Sequence, residues 1–194
     1  MKLLLAVLYT KFVETECWIS LFNFIRPADI QIEIRTYSKY SVAQGRNIAA
    51  KDAMNDGFDF IFFVDSDQIL PRDTLIKLLS IEGDVRLAWT IMNVGSPDTN
   101  IAIYNNEKRH FGFHTIETLP KENVFEADGG GLAVSLIKTD IFTIMEYPYF
   151  RFIEYANGEL LSEDLNFCLT IKRLGKSIKC DPTLKAGHIK HITI

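Results

Sequence analysis

Two aspartates follow the most apolar short run of the sequence. Residues 60–64 are all apolar, and Asp65 and Asp67 come directly after them, separated by Ser66. A short run rich in aromatic residues predicts a strand buried on both faces, and ligands of parallel α/β sheets bind beyond the carboxyl ends of such strands. Residues i and i+2 share one strand face, so both carboxylates can reach one ligand. Their oxygens suit Mg²⁺ or Mn²⁺ carrying phosphate, although a solvated acidic loop has the same pattern.

A second pair of acids opens a predicted helix near the end of the chain. Glu163 and Asp164 stand in the first turn of this helix, which is predicted to run to Leu174. Helical spacing places Asp164 on the same face as the apolar Phe167 and Cys168, so Asp164 is predicted to point inward and Glu163 sideways. An inward carboxylate could act as a general base. Acids in a first turn also complement the helix dipole, so both interpretations stay open.

A run of three glycines stands between these two acidic pairs. Asp128 is followed by Gly129, Gly130 and Gly131, and then by the apolar residues 132–137. Glycines at this place allow the backbone to approach a ligand closely. They would equally allow a bulge or bend at a sheet corner. The sequence does not separate these two interpretations.

Alternating apolar patterns and turn signals predict the elements that hold these residues. A capping box of Ser41 and Gln44 opens one helix and Gly57 closes it, and Phe12 is predicted to be buried in an earlier one. The order β-α-β-α-β-α-β up to residue 91 predicts a mostly parallel sheet with helices on both faces. A β-ribbon is predicted within residues 93–123. The predicted strands are 3–8, 30–36, 60–64, 85–91, 132–137 and 178–180, and the predicted helices are 12–24, 41–57, one from Pro71, a short one from 138 and 162–174.

Composition limits the classes of function. The chain has 194 residues, a length that fits one domain, and its net charge of −4 argues against nucleic-acid binding. The three widely spaced cysteines suggest neither a disulfide framework nor a zinc site, so a reducing, cytoplasmic location is expected. The apolar start is too short for a signal peptide, and no stretch is predicted to span a membrane. Oligomeric state is left open.

Four blocks in a fixed order carry a resemblance to a known family. The chain resembles GT-A-fold, nucleotide-sugar-dependent glycosyltransferases, most closely the family-2-like inverting enzymes. Its small size is similar to the minimal GT-A enzymes of some viruses, including one archaeal virus enzyme, which would imply the host cytoplasm. The resemblance implies one α/β/α domain with a mostly parallel sheet, residues 1–91 forming the nucleotide-binding half and 92–194 the acceptor and catalytic half. The blocks are Gly45-Arg46-Asn47, Asp65-Ser66-Asp67, Asp128-Gly129-Gly130-Gly131, and Ser162-Glu163-Asp164 followed by Phe167-Cys168, Gly175, Asp181-Pro182 and His188.

The resemblance implies a role for each candidate residue. Partners would be a nucleotide-sugar donor and a glycan or glycoprotein acceptor, with Mn²⁺ or Mg²⁺ as cofactor, and an imidazole ligand tilts that choice toward Mn²⁺. The implied metal ligands are Asp65, Asp67 and His188; the catalytic acids are Asp164, as base, and Glu163; the nucleotide-binding residues are Tyr9, Thr10, Arg46, Asp65 and Ser66; and the sugar- or acceptor-binding residues are Asp128, Gly129 and Gly130.

One block departs from the family pattern. Family members usually have a Pro and an Asn after the first strand and an Asp pair after the second. Here residues 9–11 read Tyr-Thr-Lys and residues 37–39 read Tyr-Ser-Lys. The identity of the nucleotide is therefore left open.

Three other functions are weighed against the transferase. A nucleotidyltransferase that makes nucleotide sugars would normally carry a Gly-rich signature after the first strand, and residues 9–16 contain no glycine. A phosphohydrolase would usually follow the D-x-D with Thr or Val, where this chain has Gln68 and Ile69. A non-catalytic sugar- or nucleotide-binding module would have no need of the Asp164 base.

Overall fold

The structure, a computed structural model, describes residues 1–38, 40–107 and 110–191; Lys39, in the block that departs from the family pattern, lies outside these ranges. The helices of the described chain are α1 (Thr15–Asn23), α2 (Val42–Asn55), α3 (Thr74–Ser80), α4 (Glu163–Arg173) and a 3-10 helix (Thr139–Ile144). The strands are β1 (Lys2–Leu8), β2 (Gln31–Tyr37), β3 (Phe60–Asp65), β4 (Gln68–Ile69), β5 (Val85–Trp89), β6 (Asp98–Asn105), β7 (His110–Thr115), β8 (Phe125–Glu126), β9 (Gly129–Gly130), β10 (Val134–Lys138), β11 (Ile153–Glu154), β12 (Leu160–Leu161), β13 (Ile178–Lys185) and β14 (Gly187–His188). Among these helices, none combines the length and the apolar character required to cross a bilayer.

The central sheet is mixed and mostly parallel. Its strand order is β2-β1-β3-β10-β5-β13-β8. The β1–β2, β1–β3 and β5–β13 pairs are parallel, whereas β10 runs antiparallel between β3 and β5. The carboxyl ends of β1, β2, β3, β5 and β13 therefore lie at one edge, which is where polar residues beyond several strands can meet. This architecture confirms the predicted α/β fold class.

Two apolar cores lie on opposite faces of this sheet. Successive side chains of a strand point to opposite faces, and β1 shows this directly. Leu3 and Leu5 pack in one core with Leu21 of α1 and Leu75 of α3. Their neighbours Leu4 and Ala6 pack in the other core with α2 and α4. Helices thus cover both faces, as the sequence predicts.

The predicted caps of α2 are confirmed. The Ser41 hydroxyl accepts a hydrogen bond from the Gln44 N–H, and the Gln44 side chain accepts one from the Ser41 N–H. Gly57, just after the C-terminal end, has a φ of +68°, a left-handed conformation that suits glycine. These caps fix where the Gly45-Arg46-Asn47 block enters the interior.

The prediction for the start of α1 is wrong. The helix begins at Thr15 rather than at Phe12, and Phe12 is 60% exposed instead of buried. The loop before the helix does not follow the predicted helical path, because the Glu14 N–H donates to the carbonyl oxygen of Ser66 at 3.0 Å. This bond ties the residues after β1 to the turn after β3.

The predicted β-ribbon is confirmed and joins the glycine run. Strands β6 and β7 form an antiparallel pair, and β6 also pairs with β9, the Gly129–Gly130 strand. A Cβ on Gly130 would lie 2.8 Å from the Leu87 Cδ1 atom and 3.0 Å from the Asn100 carbonyl oxygen. This glycine is therefore needed for close packing within the protein, which favours the sheet-packing interpretation of the run at this position.

Candidate functional site

Asp65, the last residue of β3, faces the protein interior. Its two carboxylate oxygens lie 3.2 Å and 3.1 Å from Nη2 of Arg46, which donates to both. The side chain of Asp65 is 24% exposed and that of Arg46 only 1%. Asp65, a predicted metal ligand, is therefore held by a buried guanidinium instead of being turned outward.

Arg46 also binds the two acids at the start of α4. Its Nη1 atom donates to Oε1 of Glu163 at 2.9 Å and to Oδ1 of Asp164 at 2.5 Å. We call Arg46, Asp65, Glu163 and Asp164 the Arg46 cluster. It ties α2, β3 and the first turn of α4 together. Arg46, predicted to bind the nucleotide, thus has both Nη atoms engaged by protein carboxylates.

The Arg46 cluster carries more negative than positive charge. Burial raises the pKa of Asp65 to about 6, with the nearby charges of Asp164 and Asp67 adding to it and Arg46 opposing it. Burial and the charge of Asp164 also raise the pKa of Glu163. Burial alone would lower the pKa of Arg46, but the three carboxylates outweigh it and raise that pKa. Arg46 therefore stays charged as the counter-ion of all three acids.

The prediction that Glu163 points sideways is wrong. Glu163 is buried, with 7% of the residue exposed, because Arg46 on α2 attracts both acids of the α4 first turn. Asp164 is the more accessible of the two, with a side chain 19% exposed. Its second oxygen, Oδ2, accepts a hydrogen bond from the Leu132 N–H at 3.1 Å. Asp164 also lines a cavity of about 160 Å³ that is open to an incoming group.

Asp67 and His188 form a separate polar pair. His188 Nε2 lies 3.1 Å from Asp67 Oδ2, and His188 Nδ1 lies 2.9 Å from the Ile91 carbonyl oxygen. Antiparallel pairing of β14 with β4 places His188 opposite Gln68, the residue next to Asp67. Hydrogen bonding to Asp67 raises the pKa of His188. Burial opposes ionisation of Asp67, but the hydrogen bonds from His188 and Gln68 lower its pKa.

The Asp67–His188 pair fits a divalent cation. The Ile91 carbonyl oxygen can only accept, so it fixes the proton on Nδ1 and leaves Nε2 directed at the Asp67 carboxylate. The Nε2 lone pair of His188 and the carboxylate of Asp67 would repel each other at this distance unless a proton or a cation lies between them. No group of three or more His, Cys, Asp or Glu side chains within residues 1–38, 40–107 and 110–191 is arranged to hold a metal ion. The chain would therefore offer two ligands here and leave the other positions to phosphate oxygens and water.

A cationic cavity borders this pair. It has a volume of about 660 Å³ and is lined by His188, Lys185, Lys190 and residues 90–97 other than Met92. The two lysines were missed in the sequence analysis, although both flank His188 within three residues. Two lysines in the lining of a cavity beside a candidate metal pair suit an anionic ligand such as a diphosphate.

The remaining predicted nucleotide-binding residues lie at the same sheet edge. The Tyr9 N–H donates to the Tyr37 carbonyl oxygen at 3.2 Å, and the Ser66 N–H donates to the Leu8 carbonyl oxygen at 3.0 Å. These bonds extend β1 toward its neighbours on both sides. Thr10 follows Tyr9 and is exposed. The structure therefore brings Tyr9, Thr10 and Ser66 close to the turn that carries Asp67.

Asp128 lies apart from the candidate base. A Cβ on Gly131 would lie 3.8 Å from Oδ2 of Asp164, and one on Gly129 would lie 3.0 Å from Cβ of Cys168. The glycine strand thus runs along α4, and Asp128 falls at least one helical turn beyond Asp164. Its Oδ2 accepts a hydrogen bond from the Tyr104 N–H at 2.9 Å. Asp128, a predicted sugar ligand, lines a different cavity of about 500 Å³.

Asn100 is a structural contributor that the sequence analysis missed. Its side chain is buried, accepts a hydrogen bond from the Thr90 N–H at 2.8 Å and donates one to the Gly131 carbonyl oxygen at 3.2 Å. It thereby fixes a wall of the cavity beside Asp164. Asn100 lies near the start of β6, and no spacing pattern in the sequence could have pointed to this role.

Comparisons with known proteins identify the fold. No family model matches the sequence, and no curated protein matches it either. Among solved structures, A197 from STIV is similar with a TM-score of 0.59 and 20% identity, covering 98% of this chain and 87% of that one. GalNAc-T7, solved with UDP, GalNAc and Mn²⁺, is similar with a TM-score of 0.62 and 12% identity, covering 98% of this chain but only 44% of that one. The chain therefore has a GT-A-like α/β fold.

Proposed function

We propose that this protein is a metal-dependent glycosyltransferase, which moves a sugar from a nucleotide-sugar donor to an acceptor hydroxyl. The observation that carries the proposal is the Asp67–His188 pair beside a cavity with two lysines. A similar fold has been solved with UDP, GalNAc and Mn²⁺, which supports a nucleoside diphosphate as the ligand of this edge. Family-2-like membership and a viral origin belong to the same proposal.

The donor diphosphate is assigned to the cationic cavity. Asp67 and His188 would hold Mn²⁺ or Mg²⁺, which when bound would stabilise the negative charge of the leaving diphosphate. Lys185 and Lys190 would contact phosphate oxygens directly. Tyr9 and Thr10 would contact the base and ribose. Asp65 is reassigned from metal ligand to partner of Arg46, because both of its oxygens accept from that guanidinium.

Asp164 is the proposed general base. The segment Ile91–Met92 separates it from the metal pair, because Ile91 binds His188 and Met92 lines the cavity of Asp164. The donor would thus lie on the His188 side of this segment and the acceptor on its Asp164 side, and the two would meet beside it. A base that activates the acceptor implies a single displacement with inversion, which an NMR spectrum of the product can check. Asp128 would have no contact with the transferred sugar, since it lies beside α4 about one helical turn beyond Asp164 and lines a different cavity.

Calorimetry with UDP tests the proposal. UDP should bind the parent protein with Mn²⁺ present and much more weakly without it. Asp67→Ala should remove the Mn²⁺-dependent part, while Asp140→Ala, which removes an exposed carboxylate near the opposite edge of the sheet, should bind like the parent. GDP and dTDP in the same assay would report the nucleotide preference.

Three results would contradict the proposal. Equal UDP affinity in Asp67→Ala and the parent would exclude Asp67 from the metal site. Metal-dependent binding of UDP-sugars with no transfer to water or to any hydroxyl acceptor would instead indicate a non-catalytic binding module. Release of pyrophosphate from a nucleoside triphosphate and a sugar phosphate would indicate a nucleotidyltransferase.

A further inference from the structure

Gln68, the residue after Asp67, is polar but buried. It is the first residue of β4 and is 1% exposed. Its backbone lies opposite His188 in the β4–β14 pair, and the Ile189 N–H donates to the Asp67 carbonyl oxygen at 2.8 Å. The backbone of Asp67 and Gln68 is therefore tied to the strand that carries His188.

The side-chain amide of Gln68 is only partly satisfied. Its Nε2 atom donates to Oδ1 of Asp67 at 2.9 Å, whereas Oε1 has no hydrogen-bond partner among the described residues. The orientation of the amide follows from its chemistry, because a carboxylate oxygen accepts and only the NH₂ group can donate to it. A buried acceptor without a partner costs free energy, which an apolar side chain at this position would avoid. Departures of this kind occur mainly at functional sites.

The bond from Gln68 divides the two oxygens of Asp67 between different partners. Oδ1 accepts from Gln68, and Oδ2 lies 3.1 Å from Nε2 of His188. The Asp67 side chain is 38% exposed, so without a fixed donor its carboxylate would be free to rotate. The amide is neutral, so it orients this carboxylate and leaves its negative charge to a cation. Asp65 shows the contrary case, because both of its oxygens accept from the charged Arg46.

We infer that Gln68 is a positioning residue for the Asp67–His188 pair: its amide holds Oδ1 of Asp67 so that Oδ2 and His188 Nε2 face one cation. This inference rests on the proposed function and adds a residue to its metal site. Gln68 would contact neither the cation nor the diphosphate. Removal of a partner that orients a metal ligand in this way typically lowers metal affinity by about 10- to 100-fold.

Two substitutions at Gln68 test the inference by calorimetry with UDP. Gln68→Met keeps the length of the side chain and should weaken Mn²⁺-dependent UDP binding by at least about tenfold. Its free energy of unfolding in urea should stay nearly unchanged, since loss of the bond and removal of the unpartnered acceptor act in opposite directions. Gln68→Asn keeps the amide but withdraws its donor by one methylene, so it should weaken the same binding. UDP affinity without Mn²⁺ should match that of the parent in both variants.

Thr139→Val is the matched control. Thr139 is 6% exposed, and its Oγ1 atom is also buried without a partner among the described residues. It lies beyond the amino end of β3, where its N–H donates to the Asp59 carbonyl oxygen, whereas Asp67 follows the carboxyl end of that strand. The variant removes the same kind of buried oxygen and should bind UDP with Mn²⁺ like the parent.

The outcomes separate this inference from the proposed function. Weaker Mn²⁺-dependent UDP binding in both Gln68 variants, with parent-like binding in Thr139→Val, supports the inference. Parent-like binding in either Gln68 variant, or an equal loss in Thr139→Val, overturns it and leaves the proposed function standing. If UDP does not bind the parent protein with Mn²⁺, the proposed function fails and this inference fails with it.

Discussion

Asp65 and Asp67 are two residues apart, yet they lie in opposite electrostatic surroundings. Burial and the nearby charges of Asp164 and Asp67 raise the pKa of Asp65 to about 6, although the buried Arg46, which Asp65 shares with two further acids, opposes the rise. Asp67 is more exposed and accepts from Gln68 and His188, so its pKa falls. One carboxylate thus belongs to an internal ion cluster and the other to a more accessible polar pair with His188.

The difference arises at the end of β3, where two acids that are close in sequence enter different surroundings. Asp65 still belongs to β3 and is therefore fixed by the sheet, within reach of the α2 side chain of Arg46. Asp67 lies in the following turn, where β4 pairs with β14 and brings His188 to it. A D-x-D spacing alone would treat both acids as equivalent ligands. Variants at the two sites should therefore have different effects, on stability in the Arg46 cluster and on ligand binding at the Asp67–His188 pair.

The largest effect is expected on stability from Arg46→Met. It would leave three buried or half-buried carboxylates without their counter-ion, which should lower the free energy of unfolding by about 3–5 kcal/mol. Denaturant unfolding followed by circular dichroism measures this. Arg35→Met is the control, because its exposed pairs with Glu33 and Asp56 should contribute at most about 1 kcal/mol. Equal losses in the two variants would contradict the counter-ion role of Arg46.

Asp164→Asn should be the next largest, and its effect should be on turnover. Loss of a general base lowers the rate by roughly two to four orders of magnitude, while donor affinity should stay unchanged. Glu163→Gln is the matched control, since glutamine can still accept from Arg46 through Oε1. Steady-state transfer assays and UDP calorimetry compare the variants. If Glu163→Gln were inactive and Asp164→Asn active, the two roles would have to be exchanged.

His188→Ala should weaken Mn²⁺-dependent UDP binding. The expected loss of affinity is at least about tenfold, the scale on which even an outer partner of a metal ligand is felt. Stability should change little, because His188 lies at the accessible pair rather than in the Arg46 cluster. His191→Ala serves as the control, since that imidazole is exposed and contacts Glu14. A similar loss in both variants would point to a general electrostatic effect and not to a ligand.

The smallest effect concerns the pH dependence of stability at Asp65. Its folded-state pKa of about 6 lies above the ordinary value of 3.8, so the folded protein binds the additional proton. The free-energy cost of ionising Asp65 in the folded protein is fully present well above pH 6 and disappears as the pH falls toward 4. Between pH 7 and pH 5 the parent should gain about 1 kcal/mol of unfolding free energy relative to Asp65→Asn. The opposite sign in parallel urea titrations would show that Asp65 behaves like Asp67.

The fold class and the positions of most elements follow from local patterns in the sequence. The capping box at Ser41 and Gln44 and the apolar alternation of β1 depend on neighbouring residues, so local patterns were sufficient. The confinement of the acids to strand and helix ends also followed from spacing. These features needed no knowledge of distant contacts.

The division of the acids between the two sites depends on contacts between distant parts of the chain. Arg46 and Asp164 are 118 positions apart, and Asp67 and His188 are 121 apart, so no local pattern reports either contact. Helix periodicity alone predicts that Glu163 points sideways, but the buried guanidinium of Arg46 attracts it into the interior. Asp128 lies apart from Asp164 because the glycine strand runs along α4. Electrostatics between distant segments, and the close packing that glycine permits, set the final arrangement of the candidate site.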